Sequence, residues 1–307
     1  MLQRPEQAHS DKLKGIAFIF VAYFLYAIGD AGAKWLVVDL SVWQVLFVRS
    51  TVGVMVCITV VGWSNVKQML RLPWQWEIVV MNLANFSGWA AYYSAARDLP
   101  LTQLYCMYYL SPIITILLGG AFLHERVTGW HWLAAAIGFG GALIVTNPSS
   151  DLPKLLPALL GFSTALFWAI AGVLYRRNVA NNDNWVLINS FNMVMAVMCT
   201  LPMTQAWLPV YSHHLPALAI VSIAAIAAHY FYLNGIRLVP VAVAGPISFS
   251  SLLWSIALGY LIFSDLPDLR VLLGAALIVL SGLIVIFTLN ESRTESSLNS
   301  HVEDMTK

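Results

Sequence analysis

The chain has 307 residues, 59% of them hydrophobic and only 10% charged, with a mean hydropathy of +0.74. A soluble domain carries about 25% charged residues, so this composition excludes a soluble globular protein and points to an integral membrane protein. Sixteen basic against fifteen acidic residues leave a net charge of +1, without the basic footprint that a nucleic-acid partner requires.

A bilayer-spanning helix needs about 20 mainly apolar residues. On that criterion the chain divides into ten segments, at 14–37, 41–62, 75–96, 101–123 and 130–147, then 155–175, 185–203, 216–236, 241–263 and 270–289. The first run, Leu13 to Val38, is too long for a signal-peptide core and ends in no small-residue cleavage site, so it is expected to be retained. The polar tails, 1–12 and 291–307, lack apolar periodicity and are expected to be disordered. No connection between segments is long enough for a soluble domain.

Segment 1 carries Asp30 and Lys34, one turn apart, and segment 2 carries Arg49. Asp30 and Arg49 fall roughly 10–12 Å below the same surface at 1.5 Å per residue. A lone charge at the centre of a spanning helix costs about 2.5–3.5 kcal/mol, which a pair at matched depth relieves. Two readings stand: a substrate-binding or gating charge set, and a structural clamp between neighbouring helices. Lys34 either shares the Asp30 carboxylate or extends to the interface.

Segment 3 places Asn82, Asn85, Trp89 and Tyr92 on one helical face, a stripe suited to a ligand cavity or to inter-helix hydrogen bonding. Segment 4 adds Tyr105, Tyr108, Tyr109 and Pro112, and segment 6 adds Trp168 and Tyr175. Segment 7 brings Asn189 and Asn192, and segment 8 brings His229 one turn from Tyr232, where a proton could be exchanged. Segment 9 presents Ser248, Ser251 and Trp254 on one face. Pro112 and the Gly245-Pro246 pair are expected to kink segments 4 and 9, since proline removes a backbone donor. Glu125 and Asp265 terminate segments 4 and 9, with a gate contact as the alternative.

Gly138, Gly140 and Gly141 in segment 5, with Gly274, Ser281 and Gly282 in segment 10, permit close helix approach within the chain or across a homodimer. Cys57, Cys106 and Cys199 lie in apolar runs without metal-ligand spacing and read as buried thiols. The chain has no GxxxxGK[ST], HExxH or GxSxG motif. No ATP site, metal site or cofactor is therefore expected, and an intramembrane enzyme has no motif to support it.

A shift of 140 residues brings the two halves into gapless register: Ser50 falls on Ser190, Gly32 on Gly172, Glu125 on Asp265, and Leu143-Ile144-Val145 on Leu283-Ile284-Val285. Lys and Arg favour cytoplasmic loops. Arg4, Lys12, Lys14, Lys67, Arg71, Arg126, Arg176, Arg177, Arg237, Arg293 and Lys307 share one side, which puts both termini in the cytoplasm. An odd number of segments per half then inverts the second half relative to the first. The expected fold is an all-α polytopic membrane protein, with ten transmembrane helices as two inverted five-helix repeats at 13–148 and 149–290.

Asp30-x-x-x-Lys34, Phe47-Val48-Arg49, Arg97-Asp98-Leu99-Pro100, Pro112 and His124-Glu125-Arg126-Val127-Thr128, in this order, resemble the drug/metabolite transporter superfamily in its ten-helix form with two EamA-type repeats. The resemblance spans about residues 14–289. It implies a bacterial inner-membrane carrier with a central cavity lined by segments 1, 3, 4, 6, 8 and 9. Family members export amino acids or carry riboflavin or S-adenosylmethionine, and the Asp-x-x-x-Lys element is most similar to the last group. The expected function is non-ATP transport of a small organic metabolite by alternating access, the lipid bilayer being the other partner. The alternative is a non-transporting assembly or lipid-handling subunit. The second half departs from the charged pattern, with Ile170 opposite Asp30, Leu174 opposite Lys34 and Asn189 opposite Arg49.

Overall fold

A computed structural model describes residues 5–62, 70, 75–95, 107–125, 127–146, 155–263 and 267–285. Among these residues the chain is helical, with no strand. The helices are α1 (Pro5–Leu36), α2 (Val42–Val61), α3 (Trp76–Ala95), α4 (Ser111–Phe122), α5 (Gly129–Thr146), α6 (Leu155–Asn178), α7 (Asn184–Gln205) and α8 (Leu215–Leu238). They are followed by α9 in two pieces, α9a (Val241–Ile247) and α9b (Ser250–Phe263), and by α10 (Leu269–Val285).

Among the described residues seven helical stretches are long and apolar enough to cross a membrane, and Ser111–Phe122 and Leu269–Val285 are shorter apolar helices. The 20-residue α3 stands outside both groups; it carries Glu77, Asn82 and Asn85. Helix α1 starts at Pro5, well before the expected boundary at 14. Its first turns need no burial to persist, because a helix already nucleated by the apolar run extends at little cost. This corrects the disorder expected over 5–12, while the rest of the expected disorder, at 1–4 and 291–307, lies outside the described residues.

The expected proline kinks take the form of interruptions. Tyr109 and Leu110 form a turn, so Pro112 stands in the first turn of α4 and not in a helix interior. This corrects a continuous segment 4, and the reason is chemical: Pro112 has no N–H to donate back to Tyr108. In the second half Ser248 and Phe249 separate α9a from α9b. There the Ser248, Phe249, Ser251 and Leu252 amides each reach only three residues back, at 3.0–3.3 Å. The two breaks overlap under the 140-residue shift, although the prolines lie on opposite sides of them. Tyr109 and its counterpart Phe249 touch, their ring centroids 5.7 Å apart.

Helix α1 packs on α8 and α3 on α6, while α2 packs on α7 and α4 on α9a. Helices α5 and α10 cross at Gly141 and Gly274, where a Cβ on either would stand 2.7 Å from the other's carbonyl oxygen. One stretch along the same crossing, Ser281 Oγ donates to Ala134 O at 2.7 Å. These small residues thus serve packing within the chain, whereas Gly140 and Gly282 face open space. Cys57 and Cys199 are free and buried; Cys106 lies outside the described residues.

The bundle face at the start of α1 is here called proximal and the other distal. Proximally, Arg177 pairs with Glu77 at 3.0 Å and Arg176 with Glu125 at 3.2 Å. Distally, Gln44 exchanges two hydrogen bonds with the Leu208 backbone, at 2.8 and 3.1 Å.

Candidate functional site

A cavity of about 810 Å³ runs into the bundle from Val37, Ser41, Val42 and Trp43 at the distal face to Tyr175 and Val241 at its proximal floor. That volume lies within the range of small-molecule sites. Rings dominate its wall. Trp168 meets Trp89 edge-on at 5.2 Å and Tyr108 at 4.9 Å, and lies tilted over Tyr92 at 5.8 Å. Gly88 admits this cluster, since a Cβ there would stand 2.6 Å from the Trp168 ring.

Fifteen sequence-expected residues line this cavity: Asp30, Arg49, Asn85, Trp89, Tyr92, Tyr108, Tyr109, Pro112, Trp168, Tyr175, Asn192, His229, Tyr232, Ser248 and Ser251. Asn85 Nδ2 donates to Tyr175 Oη at 3.4 Å, and Tyr26 Oη is 3.3 Å from His229 Nδ1. The His229 ring stacks on Phe191 at 5.0 Å, and its Nε2 is buried without a hydrogen-bond partner. Tyr109 Oη and Ser251 Oγ are 3.3 Å apart.

Asp30 and Arg49 stand together in a recess of about 30 Å³ off the cavity, with Tyr26 and Trp89. Asp30 is exposed to this space. The expected direct pair is not formed: among the described residues the ion pairs are those of Lys14, Arg176, Arg177 and His214. The Arg49 guanidinium instead lies 5.2 Å from the Trp89 ring centroid, a cation–π contact worth about 0.5–2 kcal/mol. A carboxylate and a guanidinium therefore face one space without neutralising each other.

Five expected residues stand otherwise. Asn189 is buried off the lining, and its Nδ2 donates to Met193 Sδ at 3.2 Å. Asn82 lies toward the floor on α3, outside the lining, and donates to Ser190 Oγ at 3.3 Å. Trp254 corrects the one-face reading of segment 9. The cavity face runs through Ser248, Ser251, Leu252, Ser255 and Leu258, so Trp254 is turned about 100° from Ser255. It packs on Phe20 and Phe24, at 5.0 and 4.7 Å. Tyr105 and the Lys34 side chain lie outside the described residues.

Tyr23, Tyr26 and Trp43 line the cavity and were not singled out from the sequence. The available signal was spacing: Tyr23, Tyr26 and Asp30 follow at three and four residues, on one face of α1. Tyrosines in an apolar segment otherwise resemble interfacial anchors.

On the distal face Asp39, His213 and His214 gather ligand atoms within 4.8 Å of one another. The His214 Nδ1 accepts from the Tyr211 amide at 3.1 Å, so its Nε2 carries the proton and donates to Asp39 Oδ2 at 3.3 Å. Neither nitrogen has a lone pair left for a metal. The contact fastens the turn before α8 to the end of α1.

One family model, the EamA-like transporter family, matches the chain twice, at residues 13–147 and 155–288. An S-adenosylmethionine uptake transporter of Rickettsia conorii is 22% identical over 90% of this chain and 93% of its own. A riboflavin transporter of Vibrio cholerae is 24% identical, covering 93% and 97%, and a pseudopaline exporter of Pseudomonas aeruginosa 22%, covering 88% and 95%. A crystal structure 18% identical in sequence shares the fold, with a TM-score of 0.76 over 92% of this chain and 98% of that one. The chain belongs to the EamA-like transporter family, and it is a membrane transporter rather than an enzyme.

Proposed function

We propose that the protein carries a small zwitterionic metabolite with a planar ring, in the manner of S-adenosylmethionine, through this cavity by alternating access. One observation carries the reading: Asp30 and Arg49 face the same space without pairing with one another, beneath a wall of aromatic rings. An α-amino-acid head brings an ammonium for the carboxylate and a carboxylate for the guanidinium, which replaces the water both groups lose. The rings of Trp89, Tyr92, Tyr108 and Trp168 offer faces and edges for the planar part. The name of the Rickettsia conorii relative agrees with this substrate.

Inversion of the two halves supports alternating access, because two similar half-structures can exchange conformations about a shared site. The helix pairing supports inversion: shifted by 140 residues, the α1–α8 contact becomes α6–α3, while α2–α7 and α4–α9a map onto themselves. The excess of Lys and Arg on the proximal side supports a cytoplasmic-membrane orientation with both termini inside.

Reconstitution into liposomes tests the reading. Labelled S-adenosylmethionine, neutral amino acids and riboflavin are offered with and without a pH gradient. Saturable uptake of S-adenosylmethionine, inhibited by compounds with an amino-acid head, is expected. Uptake of riboflavin alone, which has no such head, refutes the zwitterion assignment, and uptake of none refutes the substrate class.

A further inference from the structure

Glu125, Arg176 and Arg237 stand beyond the cavity, at the proximal face, and none of them lines it. Helix α4 ends at Phe122, and His124, at φ 53, turns the chain. The Glu125 amide then returns to Gly119 O at 3.4 Å. This turn aims the Glu125 carboxylate at the second half of the chain. Its Oε2 accepts from the Val241 amide, the first residue of α9a, at 2.8 Å. Its Oε1 accepts from Arg176 Nε, in the last turn of α6, at 3.2 Å.

The tie continues from there. Arg176 Nη1 donates to Arg237 O at the end of α8, 3.2 Å away. Arg237 Nη2 in turn donates to Val179 O, Asn182 O and Asn184 Oδ1, at 2.7, 2.9 and 2.8 Å. One carboxylate from the first half therefore gathers the proximal ends of α6, α8 and α9a. The Glu125 side chain is 13% exposed and that of Arg176 25%, so solvent screens their attraction less than it would on an open surface. Val241 itself belongs to the cavity floor.

Among the described residues, the distal face has no counterpart of the Arg176 arm. A shift of 140 residues sets Leu36 in the place of Arg176, and Leu36 is fully buried with Leu40, Val45, Leu218 and Val221. Asp265, the counterpart of Glu125, lies outside the described residues.

We propose that Glu125 is the latch of the proximal gate: by holding Val241 and Arg176 together it keeps the cavity closed on the side of the N-terminus, and both bonds break when the carrier opens there. The inference rests on the carrier reading above. A charged latch on one face, with the buried Leu36 at the matching position of Arg176 on the other, makes the two open states unequal, and the resting transporter opens distally. Loss of the charge at Glu125 shifts that population without altering the cavity wall.

Side-specific labelling of a cysteine in the cavity tests the latch. Thr115 lines the wall on α4, seven residues before the α4 C-terminus, and Thr115→Cys is made in a chain with Cys57, Cys106 and Cys199 replaced by alanine. A membrane-impermeant maleimide is applied to right-side-out and inverted vesicles. The parent is expected to react from the distal side, and Glu125→Gln to react about tenfold faster than the parent from the proximal side, as loss of one charge-assisted bond implies. Arg176→Gln, which keeps the Val241 bond, gives a smaller rise. Thermal melting of each purified variant shows whether it is folded.

Equal labelling in the parent and in both variants overturns the latch, as does a parent that reacts equally from the two sides. The labelling reads the opening without any substrate, so a failed substrate panel strikes the carrier reading alone.

Discussion

The two halves of the transporter furnish the cavity with corresponding positions but with different chemistry. Trp89 and Tyr92 of the first half answer to His229 and Tyr232 of the second, and Tyr108, Ser111, Pro112 and Thr115 answer to Ser248, Ser251, Leu252 and Ser255; all of them line the wall. The charges have no such match. Asp30 and Arg49 face the cavity, whereas Ile170, the counterpart of Asp30, packs into the apolar core, and Asn189, the counterpart of Arg49, is buried. In the alternating-access reading proposed above, backbone placement is shared between the halves because two similar units exchange conformations. In the same reading, recognition of one asymmetric solute needs the charges only once.

The largest effect should come from removing that asymmetry. Asp30→Asn is expected to lower transport about 10- to 100-fold, the equivalent of one charge-assisted hydrogen bond, with unchanged levels in the membrane. Near-normal flux in the same liposomes would return Asp30 to the scaffold. Arg49→Gln should fall almost as far, since it loses both the charge and the contact with Trp89.

Paired substitutions at corresponding positions come next. Trp89→Ala should weaken substrate binding about tenfold, as measured by ligand titration, because a large ring face is lost. His229→Ala should cost only about threefold, because that ring already stacks on Phe191. Equal losses would mean that the two halves share ring recognition evenly. Gly88→Ala probes the same wall from behind. Its new methyl displaces the Trp168 indole, and a loss of about threefold in affinity with a Tm lowered by a few degrees is expected. The smallest change belongs to Ser251→Ala, less than about twofold, since Tyr109 Oη can turn to water in the open cavity.

Much of the fold was legible from the residues. Ten apolar segments follow from hydropathy, because a chain in lipid must satisfy its backbone within each helix, and the 140-residue register is read from the order of the residues. The helix breaks were legible in kind and not in position. Pro112 and Pro246 announce that a donor is missing, yet they lie on different sides of Tyr109 and Phe249.

The candidate site was legible where polarity is improbable, at Asp30, Arg49, Asn85 and His229, since such groups stand out in an apolar run. It was illegible where chemistry is common. Tyr23 and Tyr26 resemble lipid-facing aromatics until α1 is set against α8, and Trp254 resembles a cavity residue until the break after α9a fixes the rotation of α9b.

Local composition by itself thus determined that this chain enters a membrane as helices, that its halves are related, and which rare charges lie within it. Only the tertiary structure decided that Asp30 and Arg49 stay apart, that Asn82 turns to Ser190, and that Glu125 reaches Val241 and Arg176. Hydropathy and periodicity are properties of neighbours in sequence. A distance between side chains on different helices depends on how those helices cross, and the crossing is set by the small residues and ring contacts of the whole bundle.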